Sequence, residues 1–172
     1  GEINLGAMNR QATAKNILSI GASENFRPSM PGSWGSMCPL GCPELPGSAE
    51  RFGTEPIASD SMGDAVEGMA AFSNRGPTND GRTKPDLVAP GKWIRSTWSS
   101  ESPATSACSD GYCYKAGTSM ATPIAAGSAA LIIEHLHNLG YSDPASALVK
   151  AILVSGAHDM AGQYTTGGDG KN

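Results

Sequence analysis

Apolar residues fall along the chain in short blocks, separated by long polar stretches rich in glycine and proline. The block from Ile17 to Ala22 is short and bounded by polar residues, which predicts a buried parallel strand. Ala70 to Ser73 predicts a second strand, running into a turn at Asn74-Arg75-Gly76-Pro77. Leu87 to Ala89 predicts a buried strand stopped by Pro90-Gly91. From Lys92 to Trp98 apolar and polar residues alternate, the pattern of a partly exposed strand, and Tyr112 to Ala116 leads into Gly117. The pattern then changes. From about Ser119 to about Leu139 a helix is predicted, with an alanine and glycine face suited to close contact with a sheet and Gly140 as its stop. A second helix is predicted behind it, with Asp143 as N-cap, Pro144 as its first residue, and Leu148, Ile152 and Ser155 on one face broadened by Val149 and Leu153.

Two stretches have no sustained period. Residues 25–69 and 99–111 read as loop insertions, and the tail from Gly162 has no clear structure. The final Gly167-Gly168-Asp169-Gly170-Lys171-Asn172 is not a phosphate loop, because it lacks the upstream glycine and the closing Ser or Thr. At 172 residues the chain amounts to one domain or part of one. Low aromatic content (6%) with 22 glycines suits an α/β enzyme rich in tight loops. A net charge of −4 without any lysine or arginine run gives no footprint for nucleic acid or an anionic membrane. The longest apolar stretch, Ile124 to Ile133, is too short to span a bilayer.

The candidate chemistry centres on Ser119, in Gly117-Thr118-Ser119-Met120-Ala121-Thr122-Pro123. A serine at a glycine-bounded turn with a helix behind it has two readings. It is an N-cap, a common use of serine, or it is a nucleophile whose oxyanion meets the unpaired N–H groups and positive end of the helix. Pro123 is expected early enough in the helix to cost little. Alanine at the fifth position of Gly-Thr-Ser-Met-Ala separates the motif from the Gly-x-Ser-x-Gly elbow of α/β-hydrolases.

The heptapeptide closely resembles the nucleophile motif of the subtilisin-like serine proteases, the subtilases. Upstream, Ala71-Phe72-Ser73-Asn74-Arg75-Gly76-Pro77 and the segment from Asp80 to Gly91 resemble the two blocks that precede that nucleophile. Ala14 to Ala22 resembles the family's buried strand after the oxyanion-hole region. Four blocks in the family's order cover most of the span from Ala14 to Ile133, and the wording is nearest the large alkaline subtilases with a following β-rich domain. The resemblance implies part of a three-layer α/β fold with a mostly parallel sheet flanked by helices. It implies a serine endopeptidase acting on protein or peptide substrates through an acyl-enzyme on Ser119, whose backbone N–H also donates to the oxyanion. It also places Gly1 to Arg10 in a loop near the wall of the pocket that holds the substrate side chain before the cleaved bond.

In subtilases the catalytic partners run in the order Asp, His, Ser. The histidines here, His135, His137 and His158, all follow Ser119 and lie in nothing like the family's histidine block. His135 and His137 are expected roughly 24–27 Å along the helix from Ser119, too far to act as its base. His158 reads as a loop residue. The aspartate block and the asparagine that donates the second oxyanion hydrogen bond are absent too. The resemblance therefore implies that residues 1–172 are the C-terminal portion of a subtilase catalytic domain. The N-terminal half would be the partner, and this chain alone is expected to be inactive. A pseudoenzyme or interaction domain on the same fold is the alternative, and a serine esterase or acyltransferase a third reading.

Four cysteines form two pairs close in sequence, Cys38 with Cys42 in the first insertion and Cys108 with Cys113 in and just beyond the second. Three disulfide connectivities are open, local or crossed. A four-cysteine zinc site and free thiols are the other readings, and secretion favours disulfides. The acidic residues of the first insertion, Glu44, Glu50, Glu55, Asp60, Asp64 and Glu67, either form a solvated loop or donate oxygens to a structural calcium, though no spacing matches a defined calcium loop. No cofactor is required by the implied chemistry, and the expected location is extracellular.

Overall fold

The computed structural model describes residues 5–36, 52–103 and 107–160. Strand β1 (Ile20–Ser23) and strand β2 (Leu87–Pro90) pair in parallel, from Ile20 opposite Leu87 to Ser23 opposite Pro90. Gly21, Ala22 and Ser23 are all buried, as a small-residue strand covered on both faces requires. A second sheet is antiparallel, in the order β3 (Ile94–Thr97), β5 (Tyr112–Lys115), β4 (Cys108–Ser109). Helix α1 (Thr118–Asn138) packs on β1 and β2, and helix α2 (Ser146–Ser155) packs on α1. The architecture is α/β, with a parallel pair and packed helices, as expected.

Helix α1 meets the sheet through Ala121 and Ala125, whose methyl groups let the two backbones approach closely. It ends as its sequence predicts. Gly140 takes φ 94°, its N–H bonds the His137 carbonyl, and the Tyr141 N–H bonds that of Leu136. This is a Schellman cap, with Tyr141 and the buried Leu136 as its apolar pair.

Four local expectations are corrected. Ala70 to Ser73 is a tight turn rather than a strand, closed by Ser73 N–H on the Ala70 carbonyl. That turn serves the edge of β1: Ala70 N–H donates to the Ala22 carbonyl, and Ser73 Oγ accepts from Ala22 N–H at 3.0 Å. Asp143 and Pro144 lie outside α2, because the chain stays extended through Ala145 (ψ 138°) and the helix opens at Ser146. Its buried face is Val149 with half-buried Ile152 and Leu153, whereas Leu148 and Ser155 are exposed. Pro123 is the sixth residue of α1, beyond the first turn, so its missing N–H falls where it would have bonded the Ser119 carbonyl.

The first insertion supplies much of the core. Trp34, Phe52 and Met62 are fully buried, and Trp34 meets Phe52 and Phe72 edge-on with centroids 6.2 and 5.8 Å apart. Each such side chain contributes about 1.5–3 kcal/mol by leaving water. The irregular backbone is tied across itself, Arg27 N–H to Gly63 O, Trp34 N–H to Asp60 O and Gly35 N–H to Ala58 O. The buried Glu24 carboxylate receives the Trp34 indole N–H at 2.8 Å. Cys38, Cys42, Glu44 and Glu50 lie outside the described residues.

Asp86 gathers the start of β1, the start of β2 and α2. Its carboxylate accepts from Ser19 N–H (2.7 Å), the buried Lys84 (2.6 Å) and Lys150 (2.8 Å). Burial alone would raise this carboxyl, but the hydrogen bonds from Lys150, Lys84 and Ser19 outweigh it and hold its pKa below the ordinary value. The expected turn at Asp80-Gly81 is present, with Gly81 at φ 80° and the Asp80 carboxyl held at about 2 by hydrogen bonds from Arg82 and Thr78.

Cys108 and Cys113 form a disulfide across the β4–β5 hairpin. The crossed pairings and the four-cysteine zinc site are thereby excluded for this pair.

Candidate active site

Gly117 is the N-cap of α1, with φ 143° in a region that strains any residue with a Cβ. Its carbonyl opens the helix by accepting from Met120 N–H at 3.0 Å and Ala121 N–H at 3.4 Å. Thr118 is the first helical residue and Ser119 the second. A second-position N–H has no intrahelical partner, so the backbone N–H of Ser119 stays available to an acceptor at the helix end. Ser119 is exposed, and the cap is not its role, because Gly117 holds that position without any side-chain capping bond. Of the two readings of this serine, the N-cap is therefore ruled out.

Ser119 lines a cavity of about 240 Å³ with Met8, Ala12, Ile20, Phe72 and Asn74 among its walls. None of the residues that line it is ionisable. The chain brings the blocks read from the sequence to this one place: the start of β1, the Phe72-Ser73-Asn74 turn, Pro85 and the Gly117–Ser119 turn. The loop before β1 adds Met8, Asn9 and Ala12, with Asn9 Oδ1 accepting from Ala12 N–H at 3.0 Å. Met8 and Asn9 fall in the loop that the resemblance places near a pocket wall, whereas Ala12 carries no such signal and only the fold shows that it borders the serine.

The histidines are elsewhere. His135 and His137 are exposed in the last turn of α1. His158 is exposed beyond α2, and its Nε2 lies 3.0 Å from Glu67 Oε1. None lines the cavity beside Ser119. Among the described residues no group of three or more His, Cys, Asp or Glu side chains could hold a metal ion. No helix among them is long and apolar enough to cross a membrane.

Ser119 is thus presented near the N-terminus of α1, next to an uncharged cavity. The chain belongs to the Subtilase family, whose pattern it matches over residues 2–171. It is similar to the serine protease/ABC transporter B family protein tagB of Dictyostelium discoideum, 37% identical over 56% of this chain and 6% of that protein. It is similar to the serine protease AprX of Bacillus subtilis, 42% identical over 51% of this chain and 20% of that protein. Pyrolysin of Pyrococcus furiosus is 40% identical over 58% of this chain and 6% of its own length. The chain thus spans a fifth or less of each of these relatives.

Proposed function

We propose that this chain is the nucleophile-bearing part of a serine endopeptidase. The observation that carries the reading is Ser119, exposed at the second position of α1 beside an uncharged cavity. Family membership and relatives named as serine proteases support it. Ser119 Oγ attacks the carbonyl carbon of a peptide bond while an imidazole takes its proton. The tetrahedral oxyanion is held by the Ser119 N–H and by an asparagine amide, each such donor contributing about 3–4 kcal/mol of transition-state stabilisation. The imidazolium returns the proton to the leaving amine, and water then releases the acyl group from Ser119 by the same route. The chemistry requires no cofactor.

The imidazole, its aspartate and the asparagine come from outside residues 1–172, in the N-terminal half of the same catalytic domain. Two observations favour that partner. The described histidines stand away from the serine's cavity. From Met120 to Ile133 helix α1 carries apolar or small residues at every position but Thr122, Pro123 and Ser128, yet only Ala121, Ala125 and Leu136 of the helix are buried, and Ile124, Leu131 and Ile133 are exposed. Apolar side chains on the face turned away from the sheet suit a helix covered on both sides. The Cys108–Cys113 disulfide agrees with an oxidising, extracellular location.

The test is labelling of the complete protein with a fluorophosphonate, followed by peptide mapping. The modification is expected on Ser119 and is lost in Ser119→Ala. Equal labelling of both proteins would remove the assignment.

A further inference from the structure

We propose that Gly91 is a positioning residue for the nucleophile turn, an inference that rests on Ser119 being the nucleophile. Gly91 follows β2 and lies between β1 and the start of α1. Its N–H donates to the Ser23 carbonyl at 2.9 Å, and its carbonyl accepts from Gly117 N–H at 2.8 Å. One residue thus ties the sheet to the N-cap of the nucleophile's helix.

The fit around it leaves room for hydrogen alone. A Cβ at residue 91 would stand 2.5 Å from the Ala22 Cβ and 2.9 Å from the Gly117 carbonyl oxygen. That oxygen accepts the first hydrogen bonds of α1, from Met120 and Ala121. A methyl group at 91 therefore presses on two things of different kind. Against Ala22 it meets the core, and stability suffers. Against Gly117 it meets the carbonyl from which the helix carrying Ser119 starts, and the serine is displaced.

The surroundings hold Gly91 in place. Two residues on, Trp93 sits at φ 55°, an uncommon conformation for a bulky side chain, and such strain persists where packing over-determines it. Its buried ring lies 4.1 Å from the Lys92 ammonium and stands edge-on to Tyr114 at 6.4 Å. Tyr114 belongs to β5, the strand that runs into Gly117, and β5 pairs with β3 just after Trp93. The 91–93 turn and the nucleophile turn are therefore fixed to each other from both sides, and neither can yield to a new methyl group without moving the other.

The experiment uses the complete protein as wild type, Gly91→Ala, and Gly91→Ala with Ala22→Gly. Three quantities are read: the fluorophosphonate labelling rate at Ser119, kcat and KM on a peptide, and Tm. In Gly91→Ala the labelling rate and kcat are expected to fall on the order of 100-fold, the scale of a displacement near 1 Å, with KM unchanged. Removing the Ala22 methyl is expected to raise Tm above that of the single variant without restoring labelling, because the pressure on Gly117 remains. Wild-type labelling in Gly91→Ala would overturn the proposal. So would a double variant in which labelling returns together with Tm, or in which Tm does not rise. If the wild type itself is not labelled at Ser119, the nucleophile reading fails and this inference falls with it.

Discussion

The two sides of the molecule are finished to different degrees. On the insertion side, Trp34, Phe52 and Met62 are completely enclosed, and the Glu24 carboxylate holds the Trp34 indole. On the outer side of α1, Leu131 remains 67% exposed and Ile124 40% exposed. The polar residues there are not turned to water alone. Thr122 Oγ1 donates to the Thr118 carbonyl at 2.8 Å and Ser128 Oγ to the Ile124 carbonyl at 3.2 Å, so each satisfies its hydroxyl within its own helix. Such residues can be covered by an apolar layer at little cost. On the function proposed above, the outer side of α1 meets an interior while Ser119, near its N-terminus, faces a groove.

Four substitutions in the complete protein probe these two sides. The largest effect is expected from Ser119→Ala, a fall in kcat on the order of a millionfold, the scale for removing a member of a catalytic unit. Peptide turnover with an intact Tm checks it. Next, Leu131→Asp should lower stability by about 3 kcal/mol or more in urea unfolding if α1 is covered, because it buries an unpaired charge. A truly exposed position would tolerate the change within about 0.5 kcal/mol.

Asp86→Asn should cost a similar amount, about 3 kcal/mol, by leaving the buried Lys84 without its carboxylate. The pH dependence has a definite sign. The Asp86 carboxyl titrates below its ordinary value when folded, so the unfolded chain binds the proton first as pH falls. Its contribution is complete above the unfolded pKa of about 4 and is lost as pH drops through the folded value. Urea midpoints should therefore converge for wild type and variant in strong acid. The smallest effect is expected from His158→Ala: stability within about 0.5 kcal/mol, since its pair with Glu67 is exposed, and unchanged labelling of Ser119. A loss of labelling would make His158 the base after all.

What the sequence made legible was what short-range physics decides. Gly117 before the helix, Gly140 after it and the turn at Asp80-Gly81 each mark a backbone conformation that few residues other than glycine adopt easily. The order of the motif blocks placed Ser119 and the strands around it. What it hid was decided by partners distant along the chain. Ala70 to Ser73 reads as a strand by its residues but forms a turn, because Ala22 needs a hydroxyl and an N–H at its edge. Ala12 reaches the cavity from a short turn with no periodic signal. The first insertion reads as a polar excursion, yet Trp34 and Phe52 turn it into core. Asp143-Pro144 carries a strong helix-start signal that the chain does not use until Ser146.

The central claim, that Ser119 acts on peptides with an imidazole supplied from outside these residues, is met most directly by trapping the acyl-enzyme. The complete protein is mixed with an activated ester of a short uncharged peptide, quenched in acid and mapped by mass spectrometry. The peptide acyl group is expected on Ser119, with no acyl group there when the imidazole of the upstream half is substituted. Acylation of Ser119 that survives that substitution, or an acyl group found only on another residue, would contradict it.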